Sequence, residues 1–326
     1  MTALYLTEND VASCMDDGDV LTVVRDTMIG LGKASPDVIN GMKFGLDVPD
    51  GDGHMHVGGT TGYNGATRSA GLKWYSVADS NAARGLPRVP AYILVTDSRT
   101  GLLQGVVEGT ALTSLRSAAM GVVGAMCCAR RAPRTVAVLG GGQIGGAALR
   151  LLAREPQIET LRLIARSPDR ARPLVDRAMA VPGRQCTIDL TDDTQAAVAD
   201  ADMVVTATSV EVDSDLVRAA WLKADAVVCS LGSRREVDHD LIRTAWMALD
   251  DRRGIAMRRP DFQPGGVAAD KPAAFLCEVV AGVTPPAPDG GQVFLISSGM
   301  GAVDIALAGR ALELARQRGL GMKLAG

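Results

Sequence analysis

Three glycines, Gly140, Gly142 and Gly145, fit the spacing G-x-G-x-x-G directly after the apolar run Val136–Leu139. The first glycine permits a tight turn, the second lets backbone approach a pyrophosphate, and the third lets the next helix pack close to the strand. Gln143 and Ile144 open that helix, whose first amides face phosphate oxygens. A strand before, a helix after and a second strand ending near Ala165 are the context in which the motif means dinucleotide binding rather than a turn. An NAD site usually carries an acidic residue about 20 positions further on, against the ribose hydroxyls. This chain has Arg166 and Ser167 there, with Arg170 in the next turn. Arginines in that place suit a 2′-phosphate, so NADP(H) is the preferred cofactor and NAD(H) the alternative. A local role is compatible with this: Ser167 caps the next helix, Pro168 takes its first position and Asp169 favours its dipole.

Two cations in the first third are the next candidates. Lys73 stands in "GLKW", and Arg116 near the start of an Ala-rich helix, in "TSLRSAA". A lysine in a partly buried strand needs an anionic partner or a lowered pKa. A guanidinium can grip a carboxylate with two parallel hydrogen bonds. From residue types alone the ordinary expectation is different: Lys73 reaches out to water and Arg116 pairs with a nearby acid. His54 and His56 would share one face of a strand. They could begin a metal site, serve the substrate or a proton transfer, or sit in a turn; no third ligand is evident, so no metal is expected. His239 reads as an exposed helix start. The six cysteines form no C-x-x-C pair and read as reduced, mostly buried thiols of a cytoplasmic protein.

Around these residues the pattern divides in two. Thr7–Lys33 has helical spacing with Thr7 and Asp10 as a cap. Met42–Val48, Leu72–Ser76, Ala91–Asp97 and Leu102–Glu108 read as strands separated by turns, Pro49–Gly53 among them, as in an antiparallel sheet. From Leu112 the pattern changes to a long apolar helix, Leu112–Cys128. Strands at Val136–Leu139, Leu161–Ala165, Met203–Thr206, Ala226–Ser230 and Met247–Asp250 then alternate with helices, which predicts a parallel sheet covered on both faces. After Gly290 come a strand-like start and a long amphipathic helix that could return to pack on the first domain. The fold class is therefore α/β: a Rossmann dinucleotide-binding domain over 116–304, and a mixed α+β domain over 1–115 and 305–326.

The totals exclude other classes. In 326 residues the net charge is −3 and 3% are aromatic, which offers neither a basic face nor stacking platforms for nucleic acid. No apolar run approaches the ~20 residues that span a bilayer, so no membrane partner is expected. The first ten residues, "MTALYLTEND", lack the basic and apolar regions of a signal peptide.

The order of the pieces resembles the ornithine cyclodeaminase/mu-crystallin family, most clearly in "GLKW…GLPR…TG…EGTALTSLRSAA", "VLGGGQIGG" and "SSGMGAVDIALA". The stretch from "GLKW" to "GLPR" is most similar to the siderophore-pathway N-(2-amino-2-carboxyethyl)glutamate dehydrogenases. The resemblance implies a homodimer, and chemistry on small α-amino or α-imino acids with a nicotinamide cofactor. It places the family's substrate lysine at Lys73, its carboxylate-binding arginine at Arg116 and an earlier arginine at Lys43, which keeps charge but loses the planar fork. His56 joins the substrate side. Thr113, Ser117, Thr206, Ser233 and Ser298 join Gly140, Gly142, Gln143, Ile144, Gly145, Arg166, Ser167 and Arg170 on the cofactor side, with Ser297 beside Ser298.

One departure matters. Cyclodeaminases carry an aspartate after the strand that reads "AVVCSLGS" here, where this chain has Ser233, Arg234 and Arg235. A serine is no strong base without an activating partner. The expectation is thus an NADP(H)-dependent oxidoreductase acting on CH–NH or CH–NH2 groups, an imine or ketimine reductase or amino-acid dehydrogenase. The alternatives are opine-like oxidative cleavage of an N-(carboxyalkyl) amino acid, an ornithine or lysine cyclodeaminase, and a non-catalytic, crystallin-like NADPH-binding protein.

Overall fold

In a computed structural model the structure describes residues 2–50, 53–210, 214–232, 235–251, 255 and 260–324. The chain divides into two compact units, Met1–Arg116 with Met300–Gly326, and Ser117–Gly299. The division falls inside a helix, α3 (Thr110–Cys128).

The first unit is built on a seven-stranded sheet. Its strands are β1 (Leu4–Leu6), β2 (Val38–Asp50), β3 (Gly53–Asn64), β4 (Ser69–Ala78), β5 (Ala91–Asp97), β6 (Leu103–Glu108) and β15 (Met322–Lys323), in the order β15-β1-β6-β5-β4-β3-β2. All neighbours are antiparallel except β1 and β6. The run Thr7–Lys33 is not one helix but two, α1 (Glu8–Cys14) and α2 (Asp17–Gly32). The break follows from a second capping box: Asp16 accepts from the Asp19 amide at 2.9 Å, just as Thr7 caps with Asp10. Strand β3 escapes a reading by alternation because four of its twelve residues are glycine. The turn expected at Pro49–Gly53 includes 51 and 52, which lie outside the described residues.

Helix α9 (Gly301–Arg318) lies on one face of this sheet. It is not amphipathic as expected. It is buried almost all round as far as Ala315, because its alanines and glycines let it nest against the sheet and α2. A Cβ at Gly62 would come 2.5 Å from the Ala302 nitrogen, so the helix start rests directly on the β3 backbone. Leu6, Ile93 and Val107 from the sheet and Leu312 from the helix fill the space between them with no exposure. Each buried aliphatic side chain of this kind contributes about 1.5–3 kcal/mol.

The second unit has an eight-stranded parallel sheet of β7 (Thr135–Leu139), β8 (Thr160–Ile164), β9 (Thr187–Thr191), β10 (Met203–Thr206), β11 (Val227–Ser230), β12 (Trp246–Leu249), β13 (Ala274–Phe275) and β14 (Val293–Ile296). Their order is β13-β12-β14-β11-β10-β7-β8-β9. The chain runs outward from β7 through β8 to β9, then returns to place β10 on the other side of β7. That reversal is the topological switch point at which doubly wound sheets bind ligands. Strands β10, β11 and β14 are buried along their whole length, as strands covered on both faces must be. Strand β9 lay outside the expected set; its residues alternate between exposed and half-buried at the sheet edge. Helix α3 is 19 residues long and apolar enough, by length and composition, to cross a membrane; 61% of that window is buried, as in a core helix.

Candidate active site

The first unit brings Lys73 and Arg116 together on an aspartate that spacing alone did not reveal. Residues paired across an antiparallel sheet point to the same face. One such row reads Lys43, Thr60, Lys73, Ile93 and Val107, from β2 to β6. The apolar end packs under α9. The charged end meets Asp304, one turn into that helix. Lys73 Nζ lies 2.8 Å from Asp304 Oδ2, and Arg116 Nε donates to Asp304 Oδ1 at 2.7 Å. Thr60 Oγ1 donates to Oδ2 at 3.4 Å. The exposures are 2% for Lys73, 6% for Arg116 and 1% for Asp304, so neither cation reaches out to water as charged residues ordinarily do.

Arg116 is aimed by a braced helix start. Glu8 accepts the Ala111 amide at 2.8 Å, and Glu108 accepts both the Tyr5 hydroxyl at 2.6 Å and the Glu8 amide at 2.9 Å. Burial and the neighbouring Arg116 guanidinium push Lys73 down to about 7, against the pull of Asp304. Burial opposes the Asp304 charge, but Arg116 and Lys73 overcome it and hold the carboxyl below the usual range.

Tyr75, two residues along β4, shares the face of Lys73, whose Nζ is 5.5 Å from its ring centre. Gly58 lies opposite Tyr75, and a Cβ there would strike the ring at 2.8 Å. His56 follows on the same face, 6.1 Å from the Tyr75 ring, with Nδ1 2.9 Å from Asp47 Oδ1. Lys43 and His56 are therefore on the Lys73 face. The side chain of His54 lies outside the described residues. Among the described residues no three His, Cys, Asp or Glu side chains converge as a metal site requires.

The second unit holds the glycine turn at the switch point. Gly140 has φ +128°, and a Cβ on it would meet the Ala207 carbonyl oxygen, after β10, at 2.5 Å. A Cβ on Gly145 would collide with the Gly140 carbonyl. Gly142 differs: it is the N-cap of α4 (Gln143–Leu152), and a Cβ there meets nothing within 4 Å. The turn thus leaves open the place where backbone amides point, with Gln143 exposed beside it. A pyrophosphate fits such a cradle.

At the ends of the flanking strands, the hydroxyls of Thr206 and Ser230 are buried and have no hydrogen-bond partner among the described residues. Arg166 and Arg170 are exposed after β8. Pro168 and Asp169 open α5 (Pro168–Met179) as expected, but the Ser167 hydroxyl makes no cap hydrogen bond. Its backbone, at φ −133° and ψ 85°, departs from the extended geometry of the side-chain caps at Thr7 and Asp16. Thr113 and Ser117, four residues apart, share one stripe of α3.

Three carboxylates were invisible to spacing. Asp304 lies inside the quoted "SSGMGAVDIALA" but looks like one acid on a helix. Asp250, 1% exposed, accepts from the Ser297 and Ser298 hydroxyls at 3.1 Å each and from the Ser298 and Gly299 amides at 2.8 and 2.7 Å. It fixes the turn that carries Ser298. Glu236 is fully buried and accepts the Thr208 amide at 3.3 Å. It follows closely on Ser233 and Arg234, which lie outside the described residues.

The ornithine cyclodeaminase/mu-crystallin family model matches residues 17–318. The Δ1-pyrroline-2-carboxylate reductase of Paracoccus denitrificans is 33% identical over 164 residues, 50% of each chain, so this chain's match covers half the length of that relative. The N-((2S)-2-amino-2-carboxyethyl)-L-glutamate dehydrogenase of Staphylococcus aureus is 22% identical over 98% of both chains. Among solved structures, the Δ1-pyrroline-2-carboxylate reductase of Thermococcus litoralis, in complex with NADH and L-proline, superposes with a TM-score of 0.86 at 21% identity, covering 98% of this chain and 100% of that one. With the family pattern running through both the buried Lys73–Asp304–Arg116 cluster and the glycine cradle, this chain belongs to the ornithine cyclodeaminase/mu-crystallin family.

Proposed function

We propose that the chain is a nicotinamide-dependent oxidoreductase that reduces the C=N bond of a small imino acid, or oxidises the matching amino acid. The observation that carries this reading is the burial of Lys73 and Arg116 on one shared carboxylate, with a phosphate cradle in the other unit. When bound, the nicotinamide dinucleotide supplies or accepts the hydride. Arg116, with Lys43, binds the substrate carboxylate. Lys73 holds a proton for the substrate nitrogen, and a lysine brought near neutrality serves as acid and base at cellular pH.

The first unit, Met1–Arg116 with Met300–Gly326, is the substrate and dimerisation domain, and the second, Ser117–Gly299, the dinucleotide domain. The outer face of the seven-stranded sheet leaves Met42, Phe44, Leu46, Trp74, Tyr92 and Leu94 exposed by 43% or more. Apolar surface of that kind marks an interface, and a second copy of the chain is the partner we assign to it. Arg166 and Arg170, without an acid in the ribose position, support NADP(H) over NAD(H); the Thermococcus relative is complexed with NADH, so both belong in the assay. Free cysteines, five of the six buried, suit the reducing cytoplasm.

The test is oxidation of NADPH and NADH by the purified chain with Δ1-pyrroline-2-carboxylate, its six-membered homologue and 2-oxo acids with ammonia. Reduction of an imino acid with NADPH preferred is the expected result. Cofactor binding without turnover on any of them would instead favour a non-catalytic binding protein, and ammonia release from ornithine a cyclodeaminase.

A second reading draws on one specific observation: Lys43 and His56 extend the Lys73 face and provide for a second carboxylate. It is the oxidative cleavage of an N-(carboxyalkyl) amino acid by NAD(P)+ and water, giving a 2-oxo acid and a smaller amino acid. The full-length likeness to the Staphylococcus relative supports it. Release of a 2-oxo acid from opine-like compounds separates it from simple imine reduction.

A further inference from the structure

The charges of the Lys73–Asp304–Arg116 cluster do not balance. Lys73 and Arg116 bring two positive charges to Asp304's single negative one, and all three side chains are more than nine-tenths buried. Among the described residues, Asp304 is the one acid that pairs with either cation. Lys43 adds a further positive field from β2. Thr60 of β3 and Tyr75 of β4 bring neutral hydroxyls, and Ile93 of β5 is apolar. His56 lies beyond Tyr75 with its own acid, Asp47. A buried charge without a partner is relieved by losing its proton, which a lysine can do and an arginine cannot.

We propose that Asp304 is a positioning residue that leaves this cluster one anion short, so that a substrate carboxylate binds together with a proton, which is taken up at Lys73. Binding the anion then produces the charged acid that the reduction needs, and above about pH 7 the lysine of an empty site is largely uncharged. This rests on the reading above that Arg116 receives a carboxylate. It adds that binding and protonation are linked, and that Asp304 sets where on the pH scale the linkage falls. The free lysine is pushed down to about 7. A ligand carboxylate opposes that shift, so uptake appears only above about pH 7 and vanishes below, where Lys73 already carries its proton.

The experiment is calorimetric titration of the full chain, saturated with whichever of NADPH and NADH binds it, in buffers of different ionisation enthalpy. The probes are pyrrole-2-carboxylate, a ring carboxylate with no C=N bond to reduce, and pyruvate. Proton uptake per ligand is expected to be near zero at about pH 6, where Kd is nearly independent of pH, and to approach one above about pH 8, where Kd weakens about tenfold per pH unit. Lys73→Met binds the probe with no such uptake, which separates Lys73 from His56. In Asp304→Asn, which removes the group holding the lysine charged, the onset moves to lower pH. Should that variant fail to fold, the wild type and Lys73→Met decide alone. Binding at pH 8 without uptake, or equal uptake by Lys73→Met, overturns the proposal and leaves the functional reading standing. Binding of neither probe overturns both.

Discussion

The two units prepare their sites by opposite means. In the second, a local stretch of backbone does it: six residues from Gly140 to Gly145 create a turn, a close approach and an open helix start, and the side chains matter by being absent. In the first, side chains do it, drawn from β4, α3 and α9, and the bond from Arg116 to Asp304 joins residues 188 apart. The first kind of site is a property of a short sequence and tolerates variation around it. The second exists only when the whole unit is folded, because it keeps three charges out of water that would otherwise be hydrated. The contrast teaches where each half is vulnerable: the cradle to an added methyl group, the charged cluster to the loss of any one partner.

The contrast can be broken or sharpened by substitution. The largest effect is expected for Lys73→Met, which removes the proton-bearing group but not the cradle. Turnover should fall about 10²–10⁴-fold, with cofactor Kd little changed. Equal losses in both would mean that Lys73 supports the fold instead. The glycines come next. Gly145→Ala forces a Cβ into the Gly140 carbonyl and should lower stability by about 1–3 kcal/mol, read by chemical denaturation. Gly142→Ala meets open space, so stability should hold while dinucleotide binding weakens about tenfold. If both behaved alike, the open place at Gly142 would have no ligand. The smallest effect is for Arg166→Ala, which should reduce the preference for NADPH over NADH about tenfold by fluorescence titration, and leave NADH binding unchanged.

The same contrast explains what the sequence disclosed. The cradle was legible because its chemistry is contiguous, and the alternation of strands around it announced a parallel sheet. Lys73 and Arg116 were candidates by type, and it was the family resemblance that implied roles for them, but their shared partner did not stand out. Asp304 sits in a helix whose apolar neighbours surround it on every side, so no hydrophobic stripe marks the face it takes. Asp250 looked like the end of a strand, and it is the anchor of the turn at Ser298. The break between α1 and α2 was written in Asp16 and Asp19, but helical spacing continued through it and hid the second cap. Strand β3 was concealed for a different reason: the glycines that make room for Tyr75 and α9 also erase its alternation.

The central claim is that the first unit holds a buried lysine near its neutral point for proton transfer. The chain has six lysines, so carbon NMR of labelled lysine side chains, with Lys73→Met to assign the signal, reads the charge of each directly. The account predicts that the Lys73 signal titrates near about 7 in the absence of a carboxylate ligand. A Lys73 signal that moves only near the ordinary value of about 10.4 would contradict it.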